Sequence, residues 1–180
     1  SISRTMTELN NNPFSLSGKI VLVTGASSGI GKATAIECSK MGAVLVITGR
    51  NEVRLKETFD LLGGEGHSMI VGDLTVKEDL DRLVKETKAL DGMVHCAGIS
   101  GHKLFTYLKQ EEIDNMFSIN YLSPLKISQS LLKAKKVKKG GSIVFMASTS
   151  GILSSYIGGS LYSSTKGAIS GLVKGMALEL

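Results

Sequence analysis

Five short apolar runs, each followed by a longer segment of helical periodicity, constrain this chain more than any other feature. "KIVLVT" (19–24), "AVLVIT" (43–48), "HSMIVG" (67–72), "GMVHCA" (92–97) and "SIVFMA" (142–147) are nearly continuous in apolar residues. A strand that is wet on one face alternates polar with apolar. A near-continuous run instead marks a parallel strand covered on both faces. The segments at about 29–41, 51–62, 77–89, 110–136 and 160–178 read as helices. Strand and helix in alternation call for right-handed crossovers, and so for an α/β doubly wound parallel sheet. Neither an internal repeat nor a linker interrupts the pattern, and residues 17–180 read as one domain. Residues 1–16 read as an N-terminal extension, with 1–5 expected to be a tag remnant ahead of Met6.

The first apolar run leads into "VTGASSGIGKA", with glycines at Gly25, Gly29 and Gly31. One glycine permits the tight turn, another lets the backbone approach a pyrophosphate, and a third lets helix pack closely on strand. The helix that opens here offers free N–H groups and the positive end of its dipole to phosphates. The turn is not that of a nucleoside triphosphatase, because Lys32 is followed by Ala33 and not by a hydroxyl residue. At the end of the second run, "ITGRN" presents Arg50 and no carboxylate. A carboxylate there would accept bonds from a free ribose 2′-hydroxyl, whereas an arginine suits a 2′-phosphate. NADP is therefore favoured over NAD, with Ser27 and Ser28 as additional hydroxyl donors.

The remaining composition excludes more than it assigns. At 180 residues and 42% hydrophobic content the chain can bury a core, yet no apolar run is long enough to span a membrane. The N-terminus lacks the apolar stretch of a secretory signal, and two cysteines, Cys38 and Cys96, suit a reducing, cytoplasmic setting. Much of the net charge of +5 lies in "KAKKVKK" (133–139). No aromatic residues interleave with those lysines as stacking platforms would, so the run reads as the solvated end of a helix and not as a nucleic-acid site.

Five features in order, "TGASSGIG" (24–31), "GDLT" (72–75), "HCAG" (95–98), Asn120 within "FSINYLSP", and "SIVFMAS" with "YSSTK" (142–166), give the chain its resemblance to the compact, single-domain short-chain dehydrogenases/reductases. The resemblance runs from about Pro13 to Leu180. It implies a three-layer Rossmann fold in which Gly25, Ser27, Ser28, Gly29, Ile30 and Gly31 border the cofactor. Asp73 and the backbone of Leu74 would hold the adenine, and Cys96, Ala97 and Gly98 would pass beside the cofactor. His95 and Cys96 stand where the family usually has two asparagines. A thiol is a weak donor and replaces an asparagine poorly, while His95 reads as a packed residue and not as a metal ligand.

By the same resemblance, Asn120, Ser148, Tyr162 and Lys166 form the catalytic group. Tyr162 would move the proton, since a lysine one helical turn away favours the phenolate of a group that otherwise ionises near pH ~10. Tyr162 and Lys166 would also touch the cofactor, Ser148 would orient the substrate carbonyl, and Asn120 would hold a water that tethers the lysine. Thr149 and Ser150 compete with Ser148, and Tyr156 with Tyr162, but position 160 is serine and gives Tyr156 no basic partner. The implied function is an NADP-dependent oxidoreductase acting on a carbonyl or secondary alcohol, similar to a 3-oxoacyl-acyl-carrier-protein reductase. A reductase of a sugar or other small polar ketone, and a cofactor-binding regulator without turnover, are the alternatives. The expected partners are a small or carrier-linked carbonyl substrate and further copies of the chain, as a tetramer or dimer. Family members continue past the Tyr162 helix into a sixth strand and a substrate lid, so a chain ending at Leu180 is expected to be incomplete and inactive.

Overall fold

The computed structural model describes residues 12–180, so most of the expected N-terminal extension lies outside the described residues. The elements are β1 (Ile20–Thr24), α1 (Gly29–Lys40), β2 (Val44–Gly49), α2 (Glu52–Asp60), β3 (Ser68–Val71), α3 (Lys77–Glu86) and β4 (Leu90–His95). After a single 3-10 turn at Phe105–Tyr107 come α4 (Gln110–Phe117), a π-helical turn (Ser118–Leu122), α5 (Ser123–Lys133), β5 (Val137–Phe145) and α6 (Ser160–Glu179). All strands are parallel, in the order β3-β2-β1-β4-β5. This is the doubly wound α/β sheet that the apolar runs demand.

Alternation along each strand sends side chains to two cores. Leu22, Val46 and Met93 face one way, against Leu80 and Leu83 of α3 and Ile127 and Leu131 of α5. Val21, Val23, Leu45 and Ile47 face the other way, against Ala35 of α1 and Leu55 of α2. The buried face of α1 is Gly31, Ala35 and Ser39, small residues that let it lie close to the sheet. Strand order reverses between β1 and β4, and the strands end level there. Thr24 is in register with Thr48 on one side and His95 on the other, and His95 with Phe145. A crevice opens outside the strand ends at such a switch point.

Three boundaries correct the sequence reading. The helix expected over 110–136 is two helices joined through a π turn, and it stops at Lys133. β4 ends at His95, which leaves Cys96–Gly98 in the loop beyond it. β5 begins at Val137, five residues earlier than expected, and so takes in the last three residues of the basic run. Lys135 turns the chain with a φ of 55°. Lys136 donates to the Thr87 carbonyl at 2.7 Å, and Lys138 to Asp91 at 2.8 Å, while Asp91 also accepts from the Ile20 amide at 2.9 Å. Lysines suit this outer strand because their charged heads stay in water while their stems cover apolar surface.

Candidate active site

The glycine turn owes its shape to close backbone approach. Gly25 has a φ of 66°, and a Cβ there would stand 2.6 Å from the Ala97 nitrogen, in the loop after β4. A Cβ on Gly31 would stand 2.2 Å from the Gly25 carbonyl oxygen. Gly31 thus shapes the turn from behind and does not line the cleft, unlike the other turn residues singled out from the sequence. Ser28 occupies the N-cap of α1 with extended backbone and makes no capping bond, so the first N–H groups of α1 are available to an anion.

The turn borders a cleft of about 460 Å³ whose walls include Gly25, Ser27, Ser28, Gly29, Ile30, Arg50, Asp73, Leu74, Cys96, Ala97 and Gly98. Sequence reasoning placed each of these. It missed Thr48, Asn51, Arg54 and Ile99, which line the same cleft. Arg54 had a readable signal: Asn51 caps α2 by accepting from the Arg54 amide at 2.9 Å, and this N-x-x-R start puts Arg54 in the first turn beside Arg50. Arg50 meets Asp73 at 3.7 Å across an exposed pair, a contact weak enough to be exchanged for a better anion. Burial pushes Asp73 upward, but the hydroxyl and amide of Thr75 and the Arg50 guanidinium outweigh it and hold the carboxyl below the usual carboxylate range. A dinucleotide fits these walls. The Thr48 hydroxyl is buried without a partner among the described residues, the uncapped α1 terminus suits a pyrophosphate, and two arginines stand at the β2 end.

Of the catalytic residues expected from the sequence, Asn120 and Lys166 adjoin the Gly98 end of this cleft, with Tyr162 one turn before Lys166 on α6. Asn120 sits in the π turn and is 2% exposed. Its Oδ1 accepts from the Ile99 amide at 2.8 Å, and its Nδ2 donates to the Ile99 carbonyl at 2.8 Å and to Thr165 Oγ1 at 3.1 Å. Thr165 in turn donates to the Tyr162 carbonyl at 2.8 Å. Asn120 is therefore bonded to the β4 loop and to α6 at once, a direct role that the expected water tether did not anticipate. Lys166 lies one turn beyond Tyr162 on α6, with its Nζ 5.8 Å from the tyrosine ring centroid. It is buried and donates to the Met146 carbonyl at 2.7 Å. Burial pushes this lysine below its ordinary value, and the Cys96 thiol partly opposes that shift. A Cβ on Gly98 would stand 3.4 Å from Asn120 Oδ1 and 3.8 Å from Lys166 Nζ, so cleft and catalytic group adjoin there.

Ser148 lies three residues past β5, where its Oγ accepts from the Ser150 amide at 3.1 Å. The loop that follows returns to α6 through Ser155 and Ser163, whose hydroxyls are 2.7 Å apart. The rival Tyr156 is engaged elsewhere, donating to the Gly101 carbonyl at 3.1 Å. His95 is buried, stacks on Phe145 at 4.7 Å and bonds Ser128 Oγ at 2.9 Å. Because the Ser128 hydroxyl donates to the Pro124 carbonyl at 2.9 Å, it is His95 Nε2 that carries the hydrogen. His95 is a core residue. Among the described residues no cluster of His, Cys, Asp and Glu could hold a metal, and no helix is long and apolar enough to cross a membrane.

Comparison with known proteins agrees with this geometry. The chain is 34% identical to the mouse 3-ketodihydrosphingosine reductase over 96% of its own length, and it spans 55% of that relative. It is 32% identical to the 3-oxoacyl-acyl-carrier-protein reductase of Rickettsia prowazekii, covering 92% of this chain and 68% of that one. Among solved structures, a short chain dehydrogenase from Escherichia coli CFT073 complexed with NADPH superimposes with a TM-score of 0.84 at 27% identity, over 93% of this chain and 74% of the other. The short chain dehydrogenase family model matches residues 19–180. That match starts one residue before β1 and runs through α6, taking in both the cleft and the residues beyond it, and the chain belongs to the short-chain dehydrogenase family.

Proposed function

We propose that this chain carries the cofactor-binding and catalytic part of an NADP-dependent oxidoreductase that interconverts a carbonyl and a secondary alcohol, with a 3-oxoacyl group as the favoured substrate. The observation that carries the reading is the buried Lys166 beside Tyr162, at the Gly98 end of a cleft shaped for a dinucleotide. The relatives named as 3-ketodihydrosphingosine and 3-oxoacyl-acyl-carrier-protein reductases support the choice of a 3-oxo group, and the NADPH complex supports the cofactor.

When bound, NADP(H) supplies or accepts the hydride. The α1 terminus with Gly29 and Ile30 would hold the pyrophosphate, and Arg50, Arg54 and Ser27 would hold the 2′-phosphate at the end of β2. Asp73 and Leu74 would hold the adenine, and Lys166 would hold the nicotinamide ribose. The tyrosine hydroxyl is the proton donor in reduction and the acceptor in oxidation, and Ser148 aligns the carbonyl oxygen with it. Lys166 keeps a positive charge against the side of the reaction where an oxyanion develops. Asn120 holds the loop and the helix that bear these groups. The functional unit is proposed to be a dimer or tetramer of such chains.

The test is NADPH consumption by the full-length protein with a panel of 3-oxo esters and simple ketones, beside Tyr162→Phe. Loss of the phenol should lower kcat by about 10²–10⁴-fold while leaving NADPH binding intact. An unchanged rate in the variant refutes the mechanism. NADPH binding without turnover of any substrate would instead identify a cofactor-binding regulator.

A further inference from the structure

We propose that Asp79 and Arg82, on the first two turns of α3, are positioning residues for the adenine half of the cofactor, although neither lines the cleft. This rests on the dinucleotide reading of the cleft and adds to it two side chains that stand behind its wall. β3 is an edge strand, paired with β2 alone, and the Gly72 amide just beyond it donates to the Gly49 carbonyl at 3.1 Å. Backbone groups alternate in direction along a strand, so the Val71 carbonyl and the Asp73 amide, on either side of Gly72, face away from β2. An outer edge of this kind has no strand to hold it and frays readily.

α3 supplies the missing partner. Asp79 Oδ2 accepts from the Asp73 amide at 2.7 Å, and Asp79 Oδ1 accepts from Arg82 Nη2 at 2.8 Å. The same arginine nitrogen donates to the Val71 carbonyl. These bonds close a bracket around Gly72, where a Cβ would stand 3.0 Å from both Arg82 Nη2 and the Asp79 carboxyl carbon. A glycine is needed there to admit the bracket. The peptide so held is the one from which Asp73 and Leu74 reach the cleft wall. Asp73 Oδ1 is taken up by the amide and hydroxyl of Thr75, at 3.0 Å and 2.7 Å, while Oδ2 meets only the exposed Arg50 at 3.7 Å. That oxygen is the one open to a ligand. As a partly exposed ion pair Asp79 and Arg82 contribute little, and their effect is exerted through the two backbone groups they hold.

The experiment uses the full-length protein with Asp79→Ala, Arg82→Leu and the conservative Asp79→Asn, which keeps an acceptor for the Asp73 amide. Calorimetric titration reads affinity for NADPH and for adenosine 2′,5′-bisphosphate, which has the adenine half and the 2′-phosphate but no nicotinamide. Turnover of a 3-oxo ester separates KM for NADPH from kcat. Asp79→Ala and Arg82→Leu should each weaken both ligands and raise KM by about tenfold, with kcat at saturating NADPH within about twofold of the parent. Asp79→Asn should lose no more than about threefold. Hydrogen exchange of the cofactor-free variants should quicken at residues 71–75 and stay unchanged in β1 and β4. If Asp79→Ala does not fold, Arg82→Leu, at a half-exposed side chain, carries the same test. Unchanged affinity in the folded variants overturns the proposal and leaves the dinucleotide reading standing. Faster exchange through the whole sheet, with a matching fall in kcat, assigns the bracket to general stability and also overturns it. A parent that binds neither ligand overturns the reading of the cleft and the proposal together.

Discussion

Acid should destabilise this fold through one histidine. His95 is buried between Ser128 and Phe145, with Nε2–H donating to Ser128 and Nδ1 lacking any partner among the described residues. A proton added at Nδ1 would put a charge in the core, and burial pushes the imidazole down from 6.5 to about 4. The folded state therefore binds this proton less readily than the unfolded chain. Stability is fully present above pH ~6.5, declines as pH falls below it, and is lost in full once pH passes about 4. The gap of 6.5 − 4 = 2.5 units corresponds to about 3 kcal/mol, of which about 2 kcal/mol is lost by pH ~5. That is a large part of the ~5–15 kcal/mol that holds a typical domain. Urea unfolding at a series of pH values, on the parent and on His95→Gln, isolates the effect. Glutamine keeps a neutral donor for Ser128 and has no proton to gain, while every other titrating group is common to the two proteins. The parent should lose about 2 kcal/mol more than the variant between pH ~8 and pH ~5. Parallel pH dependences would show that His95 is not the buried neutral group described here.

Three further substitutions separate binding from chemistry. Arg50→Asp should weaken NADP binding by about 10–100-fold, the loss expected of charge-assisted bonds to a phosphate, and leave NAD binding nearly unchanged; calorimetric titration reads both, and equal effects would remove the basis for NADP. Gly151→Ala forces a side chain onto a φ of 89° and to within 2.0 Å of the Ser163 carbonyl oxygen. It should displace the Ser148 loop from α6 and lower kcat by about 10²-fold with cofactor affinity unchanged; a normal kcat would show that the loop position does not govern catalysis. Asn120→Asp replaces two N–H donors by a buried carboxylate oxygen facing the Ile99 carbonyl and Thr165, and should cost about 3 kcal/mol or more in chemical denaturation. A smaller loss would mean that the π turn can rearrange around it.

The strands, the glycine turn and the Tyr162–Lys166 pair were legible because each depends on a residue type at a spacing. Continuous Val, Ile and Leu runs specify parallel strands, buried in β1, β2 and β4 but not in β5, none of whose residues is buried, and the turn needs Gly25 and Gly31 where no Cβ fits. What was not legible depends on tertiary contacts. A π turn has no side-chain signature of its own, and nothing in "FSINYLSP" announces that Asn120 points inward to a peptide group twenty-one residues earlier. Ile99 is bonded to Asn120 through its backbone N–H and carbonyl, groups that every residue but proline carries and that leave no signal in the sequence. The early start of β5 was hidden by lysines, whose charge outweighs, in any apolar pattern, the single half-buried side chain of Val137. Arg54 was the one omission that the sequence could have corrected, through the asparagine cap that places it.

The arrangement of the site explains why its parts should fail in different ways. Beyond His95 the chain leaves the sheet, and the Cys96–Ile99 loop has to serve the cleft on one side and the lysine on the other. It is held by the Ala97 amide donating to Thr24 at 3.3 Å, and by the double bond of hydrogen bonds between Ile99 and Asn120. The same asparagine reaches through Thr165 to the backbone of Tyr162. One buried amide thus sets the position of a wall of the cleft and of the helix that bears Tyr162 together. Arg50 lines the far end of the cleft, at the end of β2, whereas Tyr162 lies on α6 beside Lys166. A defect at Arg50 should therefore appear in cofactor affinity and one at Tyr162 in kcat. A defect at Asn120 should appear in both, because the rigidity it supplies is shared between them.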